Sequence, residues 1–311
     1  MKYLSAITLL FLVNLLAVGQ NAFGLKDSLR GSLRPERNYD VSFYDLDVTV
    51  DISNQSLKGV CEIHLTANQA LSVLQIDLYE KMNIRKITEG GRELKFQRTY
   101  DAILVQTNLK KGENAVFKCF YDGKPQTAKH APWDGGFVWA KDQNNKPWVG
   151  VACEGAGASL WWPNKDHLSD EPEKGMEIHI TVPSELMAIS NGNLSKVTET
   201  DKTHKTYHWK VSYPINNYNV SLYIGDYAHF SDQYNAADGS VLPLDYYVVS
   251  YNVEKARNNF EQVKKMLEVY EHFFDKYPFW NDGYALVESP YLGMEHQSAI
   301  AYGNNYQRGY L

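Results

Sequence analysis

The sequence predicts a mainly β protein: an N-terminal antiparallel saddle or sandwich, followed by the incomplete start of an α+β domain. Three observations lead there. Short runs of alternating apolar and polar residues recur from Val41 to Phe230, which is the period of half-buried strands. Only one strong helical run follows, and it comes late. The chain carries 22 Tyr and 7 Trp, side chains that suit half-buried strands and wet clefts. Its 311 residues fit about two domains of ~100–200 residues each. The hydrophobic share of 44% is enough to bury a real core. A formal charge of -6 gives no basic stripe and argues against a nucleic-acid partner.

Taken in order, residues 1–19 read as a secretory signal peptide. Lys2 supplies a positive start, Leu4 to Val18 is largely apolar, and Ala17-Val18-Gly19 is a small-residue cleavage site. The run is shorter than the ~20 residues a membrane span needs, so no span is expected after its removal and the location is secreted or periplasmic. Residues 20–37 are polar and aperiodic and read as a flexible lead-in. Strands are then expected over 44–51, 59–65, 71–78, 94–97, 102–106, 114–121, 176–182, 205–211 and 220–230, with turns such as Glu89-Gly90-Gly91 and Asn191-Gly192-Asn193. This assembly defines a first domain over 38–235. A further strand, 242–251, opens the second domain, 236–311. Val253, Ala256, Phe260, Val263, Leu267, Tyr270 and Phe274 then recur at helical spacing, with Asn252 as N-cap and Pro278 beyond the end. Strands over 284–289 and 297–302 follow.

Two segments hold candidate chemistry. In Pro290-Tyr291-Leu292-Gly293-Met294-Glu295-His296-Gln297, Gly293 lets a backbone or ligand come close, and Glu295 sits beside an extended segment where a carboxylate can hold an ammonium group. An ordinary loop acid is the alternative. In Glu154-Gly155-Ala156-Gly157-Ala158-Ser159-Leu160-Trp161-Trp162-Pro163-Asn164-Lys165-Asp166, small residues precede bulky aromatics. The two Trp either line a cleft or belong to a core.

Cys61, Cys119 and Cys153 make no disulfide framework and no C-x-x-C, and read as buried thiols. The nine His contain no H-E-x-x-H. The pairs His204/His208 and Glu177/His179 share strand faces and read as solvated or satisfied side chains, not as ligands.

The Gly293-Met294-Glu295 segment, preceded by strand, long helix, Lys276-Tyr277-Pro278-Phe279-Trp280 and strand, resembles the G-x-M-E-N exopeptidase motif of the aminopeptidase N family of zinc aminopeptidases. This is the gluzincin group that includes leukotriene hydrolase relatives. The 154–166 segment resembles the family's N-terminal-domain stretch ending in a Pro-x-x-Asp turn, and Arg34-Pro35-Glu36-Arg37-Asn38-Tyr39-Asp40 resembles the entry to its first strand. The likeness covers about residues 34–311. Leu292 and His296 depart from the motif, standing where the family has Gly and Asn.

What the resemblance implies is an N-terminal β domain followed by the start of a thermolysin-like catalytic domain. It implies Zn²⁺ held by two His and a Glu in the full-length enzyme, and peptide substrates with a free N-terminus. It assigns substrate binding to Glu295, Glu154, Gly293 and Met294, with the Gly293–Met294 backbone pairing with the peptide. Tyr291 lines the same cleft or packs on the sheet. The chain ends at Leu311, before the position where the family carries H-E-x-x-H. No metal ligand, no catalytic residue and no bound zinc are therefore expected in it, and the chain alone is expected to be inactive. The competing reading is a non-catalytic secreted β-sandwich binding module with Trp161 and Trp162 on its surface.

Overall fold

The computed structural model describes residues 24–30 and 34–307. The expected signal segment lies outside the described residues. Strands up to the Glu154 loop are β1 (Tyr39–Asp51), β2 (Ser56–Ala67), β3 (Leu71–Asp77), β4 (Met82–Glu89), β5 (Arg92–Glu93), β6 (Phe96–Thr99), β7 (Ala102–Leu109), β8 (Asn114–Gly123), β9 (Gly136–Lys141) and β10 (Pro147–Ala152). After it come β11 (Met176–Pro183), β12 (Met187–Ile189), β13 (Asn193–Glu199), β14 (His204–Val211) and β15 (Tyr223–Gly225). The last part holds β16 (Tyr227–Asn235), β17 (Val241–Val249), helices α1 (Val253–Phe260) and α2 (Gln262–Phe274), β18 (Tyr284–Glu288) and β19 (Ala299–Tyr302).

The first domain is built on an eight-stranded sheet in the order β13-β14-β11-β1-β2-β8-β4-β5. Only the β1–β11 pair in its central part runs parallel. A three-stranded sheet (β3-β7-β6) and a four-stranded one (β12-β15-β10-β9) complete it. The alternation in β1 works as expected: Tyr44, Leu46, Val48 and Val50 are buried, while Asp47, Thr49 and Asp51 face solvent. Trp161 and Trp162 are both 0% exposed, and Tyr44 packs edge-on against Trp162 with ring centroids 4.9 Å apart. A binding module displaying these two Trp is thereby ruled out; both belong to the core. The three cysteines are buried and unpaired.

Five expectations are corrected. The lead-in is tied down where it is described: Gln75 Nε2 donates to the Leu29 carbonyl at 2.7 Å. The buried Arg37 guanidinium meets Asp77 Oδ2 at 2.6 Å and the Asp166 carbonyl at 2.8 Å. The 220–230 stretch is not one strand, because the chain leaves one sheet after β15 and enters another with β16. The boundary placed at 235 falls inside a hairpin: β16 pairs along its whole length with β17. The second domain thus opens near Tyr227, with the mixed sheet β16-β17-β18-β19. Its core joins Leu242, Leu244, Tyr246 and Leu286 to Ala256, Phe260, Val263 and Leu267 of the helices. The single helix is two, meeting at Glu261. Asn252 stands at the N-cap position without a capping bond, and its Nδ2 instead donates to buried Glu288 Oε1 at 2.7 Å.

Candidate functional site

The Glu154 loop leaves β10 and returns through a turn that its own residues lock. Asp166 Oδ2 accepts from Ser159 Oγ at 2.6 Å and from Arg30 Nη2 at 3.1 Å. Gly157 sits at φ +89°, and a Cβ there would lie 2.2 Å from Asp166 Oδ2. Only glycine allows the loop to close this tightly. Glu154 is left exposed at its tip.

The Glu295 segment is held from the other side. Met294 N–H donates to the Ala301 carbonyl at 3.1 Å, and Ala301 N–H returns a bond to Met294 at 2.9 Å. Gly293 lacks a Cβ that would meet the Ala301 oxygen at 2.9 Å, so the segment lies flat along β19. These bonds correct one expectation. The backbone of Met294 is already paired, and its side chain is buried, so it offers no free edge to a peptide. Gly293 is exposed, and its N–H and C=O have no hydrogen-bond partner among the described residues. For Tyr291 the packed alternative holds, and its assignment to substrate binding is corrected. It is buried in the core cluster and donates its O–H to the Val151 carbonyl at 2.9 Å. It therefore fastens the second domain to β10 and does not line a cleft.

His296, standing where the motif has Asn, is 1% exposed. Its Nδ1 is 2.6 Å from Tyr223 Oη, and Tyr223 commits its O–H to the Ala299 carbonyl at 3.0 Å. Burial pushes the imidazole pKa down to about 3.

The residue that joins the two carboxylates is Tyr218, which the sequence reading missed. It lies in a one-turn 3₁₀ helix, Asn217–Asn219, outside any periodic run. Tyr218 donates its O–H to Glu295 Oε1 at 3.2 Å. It also lines a cleft of about 610 Å³ with Arg30, Glu154, Asp166, His167 and Leu168. Burial, then the charges of Glu295 and Glu154, raise the phenol's pKa above its ordinary value. The turn is pinned to both loops. Asn217 Nδ2 donates to the Lys165 carbonyl at 3.0 Å. Asn219 Oδ1 accepts from Gln297 N–H at 3.1 Å, and Asn191 Nδ2 reaches the Gln297 carbonyl at 2.6 Å. The only sequence signal for this turn was its run of asparagines, which favour tight local backbone bonds. The result is a phenol and two carboxylates converging from separate loops. Arg30, in the same cleft, has its guanidinium paired with Asp166.

The Peptidase M1 N-terminal domain family model matches residues 40–218, and the chain belongs to that family. Solved structures extend the likeness in fold over both domains. A two-domain M1 zinc metallopeptidase mutant bound to L-tryptophan aligns with a TM-score of 0.75 at 21% identity over 88% of this chain. A mutant M1 zinc metallopeptidase from Deinococcus radiodurans bound to a Tyr-Ser-Ala substrate gives the same values. The chain spans 62% of the length of each. No curated protein sequence matches. Among the described residues no ligand set for the family's zinc lies beside Glu295. Among the described residues the one group of His, Cys, Asp or Glu able to hold a metal is Asp45, Glu177 and His179, on strands of the eight-stranded sheet. No helix among the described residues is long and apolar enough to cross a membrane.

Proposed function

We propose that this chain is the substrate-selecting portion of an exported zinc-dependent aminopeptidase, and that its cleft binds the free α-ammonium group of a peptide. The observation that carries this is Tyr218, which donates to Glu295 and also lines the cleft that holds Glu154. An ammonium placed between two carboxylates is well compensated, whereas a blocked amine would leave them unpaired. Gly293, whose backbone groups have no partner among the described residues, is the edge against which the peptide backbone lies. The residues described here are assigned to binding, and none of them to the hydrolytic step.

The test is an NMR titration of the chain with a tripeptide and with its N-acetylated form. The free amine binds at least tenfold tighter, and Glu295→Gln abolishes that difference while leaving the thermal midpoint within a degree or two. Equal binding of the two peptides, or undiminished discrimination in folded Glu295→Gln, overturns the reading.

A further inference from the structure

The outer face of the eight-stranded sheet carries a second set of converging side chains. Asp45 on β1 and Glu177 on β11 are register partners in the parallel pair. His179 follows two residues later, so strand alternation puts all three on the solvent side. His179 Nε2 lies 3.2 Å from Asp45 Oδ1 and 3.8 Å from Glu177 Oε2. The three ligating atoms lie within 4.8 Å of one another. Tetrahedral zinc with bonds of about 2.0–2.1 Å places its ligand atoms about 3.3 Å apart. The two contacts to the imidazole bracket that separation without any movement of the strands.

The far side of the imidazole is also fixed. His179 Nδ1 is 2.8 Å from Nδ1 of His208, its register partner on β14. His208 Nε2 in turn is 2.9 Å from Thr198 Oγ1 on β13. A neutral His208 that donates from Nε2 to Thr198 accepts at Nδ1 from His179, which turns Nε2 of His179 towards the two acids; the proton it shares there with Asp45 is the one a metal ion displaces. Orienting a ligand imidazole through its second nitrogen is how metal sites fix tautomer and direction.

We propose that Asp45, Glu177 and His179 bind a divalent cation of the zinc class, with water in the remaining position and His208 as the positioning residue. One imidazole with two carboxylates suits zinc, whereas magnesium prefers a shell of oxygens alone. The sequence pairing of Glu177 with His179 read as solvated side chains because Asp45 joins them only through the β1–β11 register. This reading is independent of the amine cleft, which involves none of these residues.

Equilibrium dialysis of the intact chain against zinc, with metal analysis, tests it. One zinc binds per chain and excess magnesium does not displace it. Asp45→Asn and His179→Gln each weaken binding at least tenfold. His208→Ala weakens it roughly tenfold, in the range for supporting residues, and His208→Gln, which keeps an acceptor, restores part of the loss. On zinc addition the ring ¹⁵N signals of His179 shift. All of these side chains lie at the surface of the sheet, and circular dichroism checks that each variant is folded. No zinc bound at millimolar concentration, or binding unchanged in folded Asp45→Asn and His179→Gln, overturns the proposal.

Discussion

Replacing His296 by Asn changes how the fold responds to acid, by an amount that follows from its burial. The folded imidazole titrates near 3, against an ordinary value of 6.5. In the unfolded chain it takes up a proton as soon as the pH drops below 6.5, whereas in the folded chain it stays neutral. Its contribution is therefore complete above pH 6.5 and is lost as the pH falls towards 3, at about 1.36 kcal/mol per unit. Between pH 8 and pH 5 the loss amounts to roughly 2 kcal/mol by this linkage. Asn does not titrate, so the variant lacks this part of the slope, whatever its stability at pH 8. Urea unfolding of both chains at the two pH values measures the difference of differences, in which altered packing cancels. Identical pH dependence in the two chains, or a His296 ring proton titrating near 6.5 by NMR, refutes the reasoning. The site is affected too, because His296 anchors the residue next to Glu295, and the segment is expected to loosen in the same acid range.

Tyr218→Phe removes the hydroxyl bonded to Glu295. A hydrogen bond to a charged group contributes about 1.5–3 kcal/mol, reduced to about 1 here because Glu295 is exposed to solvent. Free-amine peptides should thus bind roughly fivefold more weakly, with N-acetylated peptides unaffected in the same titration. Arg37→Met leaves Asp77 buried without its counter-charge and costs about 3–5 kcal/mol in chemical denaturation, and adding Asp77→Leu recovers most of it. Gly157→Ala forces a methyl group into the Asp166 carboxylate at a positive φ. It lowers the thermal midpoint and weakens amine binding together, since the turn that presents Glu154 can no longer close.

The parts of the fold legible in the sequence were those where one face is buried and the other wet. β1, β2, β8, β11 and β14 announce themselves because a period of two survives only under that asymmetry. β13 was missed because all seven of its residues are exposed, so nothing makes its sequence alternate. β9 and β10 were missed because they mix Gly, Pro and Trp in a run with no clean alternation. The domain boundary slipped for a different reason: the polar alternation of β16 looks like that of the first domain, and only its pairing with β17 assigns it to the second. In the site, Glu154 and Glu295 were found through their motifs. Tyr218, which links them, has no motif, since its role exists only once three loops converge. Tyr291 and Met294 were placed in the cleft by position alone. Their burial shows that position in a motif does not tell which of its side chains reach the surface.

The asparagine stitches among the Tyr218 turn, the Glu154 loop and Gln297, with the Tyr291 anchor into β10, have a mechanical consequence. The two jaws that carry the acids belong to different domains yet are riveted at several points, so their spacing works as a fixed gauge and not as a flexing clamp. On the amine-binding proposal, choice of ligand at this mouth is then made by shape present before arrival. Retuning it requires exchanging side chains at the turn, and cutting the protein between its domains would discard the gauge altogether.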